Sequence, residues 1–162
     1  MLSKRLPINL HVNGVTDLQP EDTQENPFYY TFKVQCTSCR ETHPNFVSVS
    51  RFEQNEQSGS RGEANFVWRC KNCKREHSAN IIDSPKAYPQ QSPPKLQNII
   101  TIDCRGLEFT EFKPDGEWKA TGVDSGTKFN GIDLTEGDWF DYDEKASEEV
   151  SITDIKWEIR RA

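Results

Sequence analysis

The chain has 162 residues, and its 20 Lys and Arg against 26 Asp and Glu give a formal charge of −6. This balance argues against a nucleic-acid-binding protein, because such proteins need a basic surface to displace phosphate counterions. The aliphatic runs are far shorter than the roughly 20 residues of a membrane-spanning helix. The 4 Trp, 4 Tyr and 9 Phe are too many for a typical disordered chain, so we expect a folded core rich in aromatic residues.

The first residues carry charges but no apolar segment behind them, so we expect no secretory signal peptide. A cytoplasmic location follows as an expectation, with the nucleus as a second compartment. Disulfides are rare in such reducing compartments. The five cysteines are therefore better explained by metal ligation than by disulfide bonds.

Apolar residues alternate with polar ones in short runs along the chain, and helical periodicity is nearly absent. Alternation with a period of two is typical of strands with one buried face. Many short strands separated by Gly, Pro and Asn predict an all-β sandwich or barrel. The predicted strands contain Ile8, Leu10 and Val12; Tyr30, Phe32 and Val34; Phe46, Val47 and Val49; Phe66 and Trp68; Ile100 and Ile102; and Ile155, Trp157 and Ile159.

The last predicted strand changes phase along its length. Val150 and Ile152 alternate in one phase, whereas Ile155 and Trp157 alternate in the other. One extra residue on a strand produces this change, so we predict a β-bulge between Ile152 and Ile155.

Two segments are predicted as loops. The polar segment Glu53–Gly62 is rich in Gly and Ser, and Ser84–Lys95 holds four prolines. Proline lacks the amide donor that a central strand needs, so Ser84–Lys95 is interpreted as a connector. It divides the chain into an N-terminal β half, 1–83, and a C-terminal β half, 96–162.

The two halves resemble each other in order and residue class. In 10–20 and in 100–114, an apolar alternation is followed by a glycine, an apolar residue and then a proline. Arg61–Phe66 and Asp124–Phe129 form a second similar pair. We interpret these similarities as the trace of a duplication, although short β patterns also match by chance. The second half has no matching cysteine pairs, so a metal site would belong to the first.

Two Cys-x-x-Cys pairs are the most specific motif, and each follows a predicted strand, as in a zinc ribbon. They lie at 36–39 and 70–73, separated by 30 residues. A tight Cys-x-x-Cys turn directs two thiolates to one ion, and two such turns complete a tetrahedral shell. Thiol redox pairs are the alternative, but these usually open a helix, and no helical pattern follows either pair. An iron or copper centre is a further alternative. The predicted ligands of one Zn²⁺ are Cys36, Cys39, Cys70 and Cys73.

Each pair is followed by a histidine four residues after its second cysteine. His43 and His77 could replace a thiolate, or they could donate hydrogen bonds to sulfur. Four cysteine ligands leave no open position on the metal, so we expect a structural site and no catalytic residues. Zinc binding at such sites supplies on the order of 10–16 kcal/mol.

Two further features stand apart from these pairs. Cys104 is an odd cysteine on a predicted strand, interpreted as a half-buried thiol, with a ligand or a nucleophile as alternatives. In Asp138–Lys145, aromatic residues alternate with acids. This segment could bind a basic or peptide partner. Alternatively, Trp139 and Tyr142 could anchor a loop to the core, or Asp138, Asp141 and Asp143 could bind a hard metal.

Several of these motifs occur together in one known family. They are the two Cys-x-x-Cys pairs, the Arg61–Gly62 loop, Cys104–Glu108, Gly122–Thr127 and Asp138–Lys145. With them, nearly the whole chain resembles the eukaryotic CXXC motif-containing zinc-binding proteins. The resemblance implies a mainly β fold with two similar halves and one zinc held by the two pairs. It implies no established activity.

Three functions are compatible with the sequence. The first is a non-catalytic, monomeric zinc protein that binds a protein partner, with no role in binding nucleic acid or membranes. The second is a metal-handling protein, because paired thiolates also bind Cu(I). The third is a thiol-dependent reductase like those of the similar Mss4-like group, with Cys104 as the attacking cysteine.

Overall fold

The computed structural model describes residues 2–58, 62–91 and 93–161, and within these ranges the fold is all-β, as predicted. Every pairing between the described strands is antiparallel. In the same ranges, no helix has the length and apolar character that crossing a membrane requires. The strands are β1 (Leu2–Asn13), β2 (Val15–Pro20), β3 (Tyr30–Cys36), β4 (Val47–Val49), β5 (Asn55–Glu56), β6 (Glu63–Ala64), β7 (Phe66–Arg69), β8 (Glu76–Ile81), β9 (Gln97–Arg105), β10 (Leu107–Lys113), β11 (Trp118–Gly122), β12 (Lys128–Ile132), β13 (Trp139–Asp143), β14 (Glu148–Trp157) and β15 (Arg160–Arg161).

The strands are arranged with approximate two-fold symmetry around the β1–β9 pair. The long sheet of the described residues has the order β13-β14-β1-β9-β8-β7, with β15 also paired to β1. Two smaller sheets, β10-β3-β4 and β12-β11-β2, pack with it, and β5 pairs with β6. Exchanging β1 with β9 exchanges β14 with β8, β13 with β7, and one smaller sheet with the other. The predicted likeness of the two halves is thus visible in the strand order.

Strand pairs join the two chain segments on either side of the connector. β1 pairs with β9 and β14, and β10 pairs with β3. One buried cluster also draws residues from both segments. The connector 84–95 therefore separates two similar halves along the sequence, and these halves share sheets and core. That the halves are separate domains stays a prediction.

Gly14 and Gly106 occupy equivalent corners, where β1 leads into β2 and β9 leads into β10. Their φ angles are +78° and +80°, a region that side chains disfavour. A Cβ atom would lie 2.7 Å from Val150 Cγ1 at Gly14, and 2.1 Å from His77 Nδ1 at Gly106. The predicted equivalence of 10–20 and 100–114 is therefore confirmed at its central glycine.

The second predicted similarity is wrong. Phe66 begins β7, an edge of the long sheet, whereas Phe129 lies in β12 of a smaller sheet. The two short patterns match by chance, because an apolar residue after a Gly-containing turn is common to many β structures. Arg61 itself lies outside the described residues.

Aromatic rings fill much of the core, as the composition predicts. Phe28 packs against Tyr30 and Trp118 with ring centroids 4.7 and 5.5 Å apart, and Trp118 contacts Trp157 at 5.5 Å. Aromatic pairs at these separations add stability beyond the area they bury.

The predicted β-bulge in β14 is confirmed. Asn9 pairs with Lys156 and His11 pairs with Thr153, so two residues of β14 oppose one residue of β1. Asp154 lies within this step and has a φ of 55°, which the extra residue imposes.

Described residues in both predicted loops form regular backbone contacts. In Ser84–Lys95, Tyr88 is fully buried, exchanges backbone hydrogen bonds with Leu18, and donates its hydroxyl to the Lys95 carbonyl at 2.7 Å. In Glu53–Gly62, β5 forms a short hairpin with β6. Residues 59–61 and 92 lie outside the described residues.

Candidate metal centre

The first Cys-x-x-Cys turn begins where β3 ends. The amide of Arg40 donates to the Cys36 carbonyl at 2.9 Å, and the Cys36 amide donates to the Glu41 carbonyl at 2.9 Å. Arg40 has a φ of 66°, which reverses the chain after Cys39. The turn therefore places Cys36 and Cys39 on the same side of the chain.

The second turn has the same backbone geometry. The Lys74 amide donates to the Cys70 carbonyl at 2.9 Å, and the Cys70 amide donates to the Arg75 carbonyl at 3.0 Å. Lys74 has a φ of 65°. Cys70 and Cys73 are therefore presented in the same way as the first pair, between β7 and β8.

The two turns bring their four sulfur atoms into one cluster. All four Sγ atoms lie within 4.8 Å of one another. Cys36 Sγ is 3.7 Å from Cys73 Sγ, and Cys39 Sγ is 3.6 Å from Cys70 Sγ. A tetrahedral site with Zn–S bonds of about 2.3 Å separates its sulfurs by about 3.8 Å. The four cysteines are thus positioned to bind one metal ion, and no second group of this kind occurs within the described ranges.

His77 lies beside this cluster, at a distance that fits the second of its two predicted roles, a hydrogen bond to sulfur. Its Nε2 is 3.1 Å from Cys36 Sγ, and its ring is buried against Gly106. Burial, followed by the charge of Arg75, lowers the pKa of His77, which favours the neutral ring. A neutral ring with its proton on Nε2 donates to the sulfur, and such a donor orients a metal-binding thiolate.

His43 does not share the position of His77, although the sequence places both histidines in the same register. Its ring lies edge-on to the indole of Trp68, with centroids 5.9 Å apart. Trp68 also contacts the His77 ring at 5.9 Å. The indole therefore lies between the two histidines, and only His77 has a described contact with a sulfur.

The two less buried thiols differ in acidity. A hydrogen bond from the Asn72 side chain, with one from the Glu41 backbone, lowers the pKa of Cys39 to about 6. The Arg75 backbone lowers the pKa of Cys73, but burial and the neighbouring thiols together outweigh it and raise that pKa to about 11. A divalent cation at the centre of the cluster would stabilise all four thiolates, as metal binding requires.

The turn after β11 is the two-fold counterpart of the turn after β3. The Gly126 amide donates to the Gly122 carbonyl at 3.0 Å, and the Gly122 amide donates to the Thr127 carbonyl at 2.8 Å. Gly126 has a φ of 72°, like Arg40. Gly122 and Ser125 therefore occupy the positions that Cys36 and Cys39 occupy in the metal-binding half.

Asp143 occupies the position of Cys70 and joins the two turns of this second half by hydrogen bonds. Its fully buried carboxylate accepts from Ser125 Oγ, from Thr127 Oγ1 at 3.0 Å and from the Ala146 amide at 3.3 Å. A Cβ atom on Gly122 would lie 2.5 Å from Asp143 Oδ2, so the carboxylate fills this space. The hydrogen bond from Ser125, followed by that from Thr127, lowers the pKa of Asp143.

Sequence reasoning missed this role of Asp143, which it treated only as one acid among several. One signal in the sequence could have indicated it. Asp143 is the last residue of an alternating run and stands directly before a turn, as Cys36 does at the end of its own run. Asp138, Asp141 and Asp143 are not brought together as a metal-binding group in the described chain.

Cys104 lies in β9 and is not part of the sulfur cluster. It is buried to 2% exposure and packs in the core, so it is more buried than predicted. Burial raises its pKa to about 12.

The acidic and aromatic segment forms β13, so the predicted loop is wrong. Trp139 packs edge-on against Phe129 with ring centroids 5.5 Å apart, which agrees with the interpretation that Trp139 anchors this segment to the core. Phe140 and Tyr142 are instead 67% and 50% exposed. The alternation of a strand explains this difference, because consecutive side chains point to opposite faces.

Comparison with known proteins places the chain in a family. The family described as "CXXC motif containing zinc binding protein, eukaryotic" matches residues 5–160. The UPF0587 protein C2D10.03c of Schizosaccharomyces pombe is 46% identical over 157 residues, covering 97% of each chain. The CXXC motif containing zinc binding protein of Homo sapiens is 35% identical over 151 residues, covering 93% of this chain and 92% of the human one.

Two solved structures share the architecture. "Crystal Structure of C1orf123" has a TM-score of 0.89 and 33% identity, and the match covers 99% of both chains. A hypothetical protein from Plasmodium falciparum has a TM-score of 0.87 at 20% identity over 99% of this chain and 100% of its own, which shows the fold alone. Together with the sulfur cluster, these matches show that the chain belongs to the eukaryotic family of CXXC motif-containing zinc-binding proteins.

Proposed function

We propose that the protein is a non-catalytic zinc protein, in which one structural Zn²⁺ bound by four cysteines stabilises a surface that binds a protein partner. The spacing of the sulfur atoms carries this proposal, because it fits a tetrahedral shell. The family description supports zinc as the ion. The ligands are Cys36, Cys39, Cys70 and Cys73.

The position of the cluster supports a structural role. Cys36 ends β3 in a three-stranded sheet, whereas Cys70 follows β7 in the long sheet. An ion held by both would therefore add a link between these two sheets at the ends of β3 and β7. When bound, zinc supplies on the order of 10–16 kcal/mol at such sites, against a typical domain stability of about 5–15 kcal/mol.

The burial of Cys104 supports the proposal that the protein does not use this thiol as a catalytic nucleophile. A nucleophilic cysteine needs access and a lowered pKa, but burial isolates Cys104 and raises its pKa. In the folded protein, we expect alkylating reagents to modify Cys104 no faster than global unfolding exposes it. Rapid and selective labelling of Cys104 would instead support the reductase alternative.

A metal-handling function is the second candidate. Cys39 and Cys73 are only partly buried, so a chelator or an acceptor protein has access to one side of the cluster. Zinc release to a chelator can be compared with the rate of unfolding. Release that is independent of unfolding supports metal exchange, whereas release limited by unfolding supports a structural ion.

The remaining elements of the proposal are a cytoplasmic or nuclear monomer with a protein partner and without nucleic acid or membrane binding. The acidic balance of the chain, −6, supports the part of the proposal that leaves out nucleic-acid binding. The test is affinity capture with the zinc-loaded protein at several salt concentrations. The same partner recovered at each concentration is the expected result, and recovery of none contradicts the interaction role.

A further inference from the structure

β13 forms one edge of the long sheet. Among the described residues, β14 is the strand with which it pairs. The Tyr142 amide donates at 2.7 Å to the side chain of its own neighbour, Asp141. An edge strand presents unpaired backbone groups that can accept another strand. The Asp141 carboxylate therefore covers a backbone donor that an added strand could use.

Two aromatic side chains stand out from this edge on one face of the sheet. Phe140 is 67% exposed and Tyr142 is 50% exposed. With Asn13, Glu149 and Ser151 they line a surface cavity of about 460 Å³. Exposed aromatic side chains next to a cavity are typical anchors of protein–protein contacts.

The charge around this edge is mostly negative. Asp138, Asp141, Glu144 and Glu149 are all exposed. Lys145 is the one basic residue in 138–149. A cationic segment would therefore find complementary charge along the strand, and such complementarity speeds association and selects partners.

The two-fold counterpart of β13 shows that the fold does not require these side chains. β7 is the opposite edge of the same sheet, and its Val67 and Arg69 occupy the positions of Phe140 and Tyr142. Val67 is half-buried, and Arg69 carries the opposite charge to the acids of β13. β7 also has aromatic residues, Phe66 and Trp68, but both are half-buried, so exposed aromatic side chains beside acids are specific to the β13 edge.

We propose that the β13 edge binds an extended, basic segment of the partner protein, which adds to the long sheet as a further strand. The backbone of this segment pairs with the edge after displacing the Asp141 carboxylate, its apolar side chains contact Phe140 and Tyr142, and its basic side chains face the surrounding acids. This proposal rests on the proposed function and assigns its partner surface.

The probe is a ten-residue peptide of alternating lysine and valine. We expect the zinc-loaded protein to bind it with shifts of the backbone NMR signals of 139–143. Phe140→Ala/Tyr142→Ala should weaken binding at least tenfold. Tyr29→Ala/Ile82→Ala is the matched control, since it removes two side chains of similar exposure elsewhere, and it should change binding less than twofold.

Two backbone-methylated peptides separate strand addition from simple attraction between charges. One carries methyl groups on all valine amides and the other on all lysine amides, so each blocks the hydrogen bonds of one peptide edge. Strand addition predicts that one of the two loses binding at least tenfold while the other retains it. Retention by both, or shifts away from 139–143, would overturn the proposal.

A capture experiment distinguishes this proposal from the broader function. If Phe140→Ala/Tyr142→Ala recovers the same partner as the natural sequence, the interaction role stands and the β13 assignment fails. If the double variant loses that partner and Tyr29→Ala/Ile82→Ala keeps it, the β13 assignment is supported.

Discussion

Cys70 is one of two fully buried ligands in the cluster and shows how much one side chain contributes. Cys70→Ser removes a thiolate, so we expect loss of the bound zinc and of most of the folded population, because the zinc contribution is on the order of 10–16 kcal/mol. Metal content after dialysis and thermal unfolding measure both effects.

Cys104→Ala is the matched control, because it removes a buried thiol outside the cluster. It should keep one zinc per chain and cost about 1 kcal/mol of unfolding free energy. Equal zinc retention by Cys70→Ser and Cys104→Ala would show that Cys70 is not a ligand.

Two features require a glycine at position 106: its positive φ angle, and the His77 ring, which occupies the space of a Cβ atom. A pair of alanine variants separates these two effects. Gly106 and Gly126 both have positive φ angles, but only Gly106 has a neighbour, His77 Nδ1, within the space of a Cβ atom. We expect Gly126→Ala to cost about 1 kcal/mol from backbone strain alone. Gly106→Ala should cost more, because it also displaces His77 from Cys36.

Urea unfolding of the zinc-loaded variants measures this difference. Equal free energies of unfolding for Gly106→Ala and Gly126→Ala would mean that the contact between His77 and Gly106 contributes nothing.

At the residue scale, the four cysteine ligands could be found from the sequence, because a Cys-x-x-Cys spacing is what allows two thiolates to reach one ion. The sequence was not enough to separate His43 from His77, which follow their pairs at the same distance. The separation comes from tertiary packing. Gly106, in the turn between β9 and β10, leaves room for the His77 ring beside Cys36, whereas the His43 ring lies against Trp68. Asp143 was missed because its partners, Ser125 and Thr127, are remote in sequence.

At the scale of elements, the two halves each have a pair of turns, and different side chains join the turns of each pair. In one half four sulfur atoms meet, and in the other half Asp143 accepts hydrogen bonds from Ser125 and Thr127. The bond from Ser125 lowers the pKa of Asp143 in the folded state. Its contribution to stability is therefore complete above the pKa of an unfolded Asp, about 3.9, and is lost as the pH falls through the lower folded pKa.

Asp143→Asn tests this linkage. We expect the variant to melt at a lower temperature than the natural sequence at pH 6, and the difference to shrink between pH 4 and pH 2. The comparison cancels any loss of zinc in acid, because both proteins keep the four cysteines. Asp141→Asn, on the exposed part of the same strand, is the control and should melt like the natural sequence throughout. A constant difference for Asp143→Asn across this pH range would contradict the linkage.

The strands themselves were largely predictable, because a buried face every second residue leaves a clear pattern. The bulge at Asp154 was predictable for the same reason, as the phase of the pattern changes there. Which strands become neighbours was not predictable. The pairing of β1 with both β9 and β14 depends on contacts across the whole chain, and the alternating pattern of β1 fits any partner with an apolar face.

At the scale of the whole molecule, the two-fold arrangement gives the protein two similar ends with different side-chain chemistry. One end holds the sulfur cluster, and the other holds the hydrogen-bonded Asp143 and the exposed edge of β13. In the connector, Tyr88 exchanges backbone hydrogen bonds with Leu18 of β2 and is buried in the core. Zinc removal should therefore disrupt first the end formed by β3, β7 and β8, while the hydrogen-bonded end depends on metal only through the shared core.

The central claim is that one zinc ion is held by the four cysteines of the two turns. Native mass spectrometry of the protein purified from its own host, without added metal, tests this claim most directly. The account predicts one zinc per folded chain, with all four thiols protected from alkylation until the metal is removed. A folded chain without metal, or with its two cysteine pairs oxidised to disulfides, would contradict it.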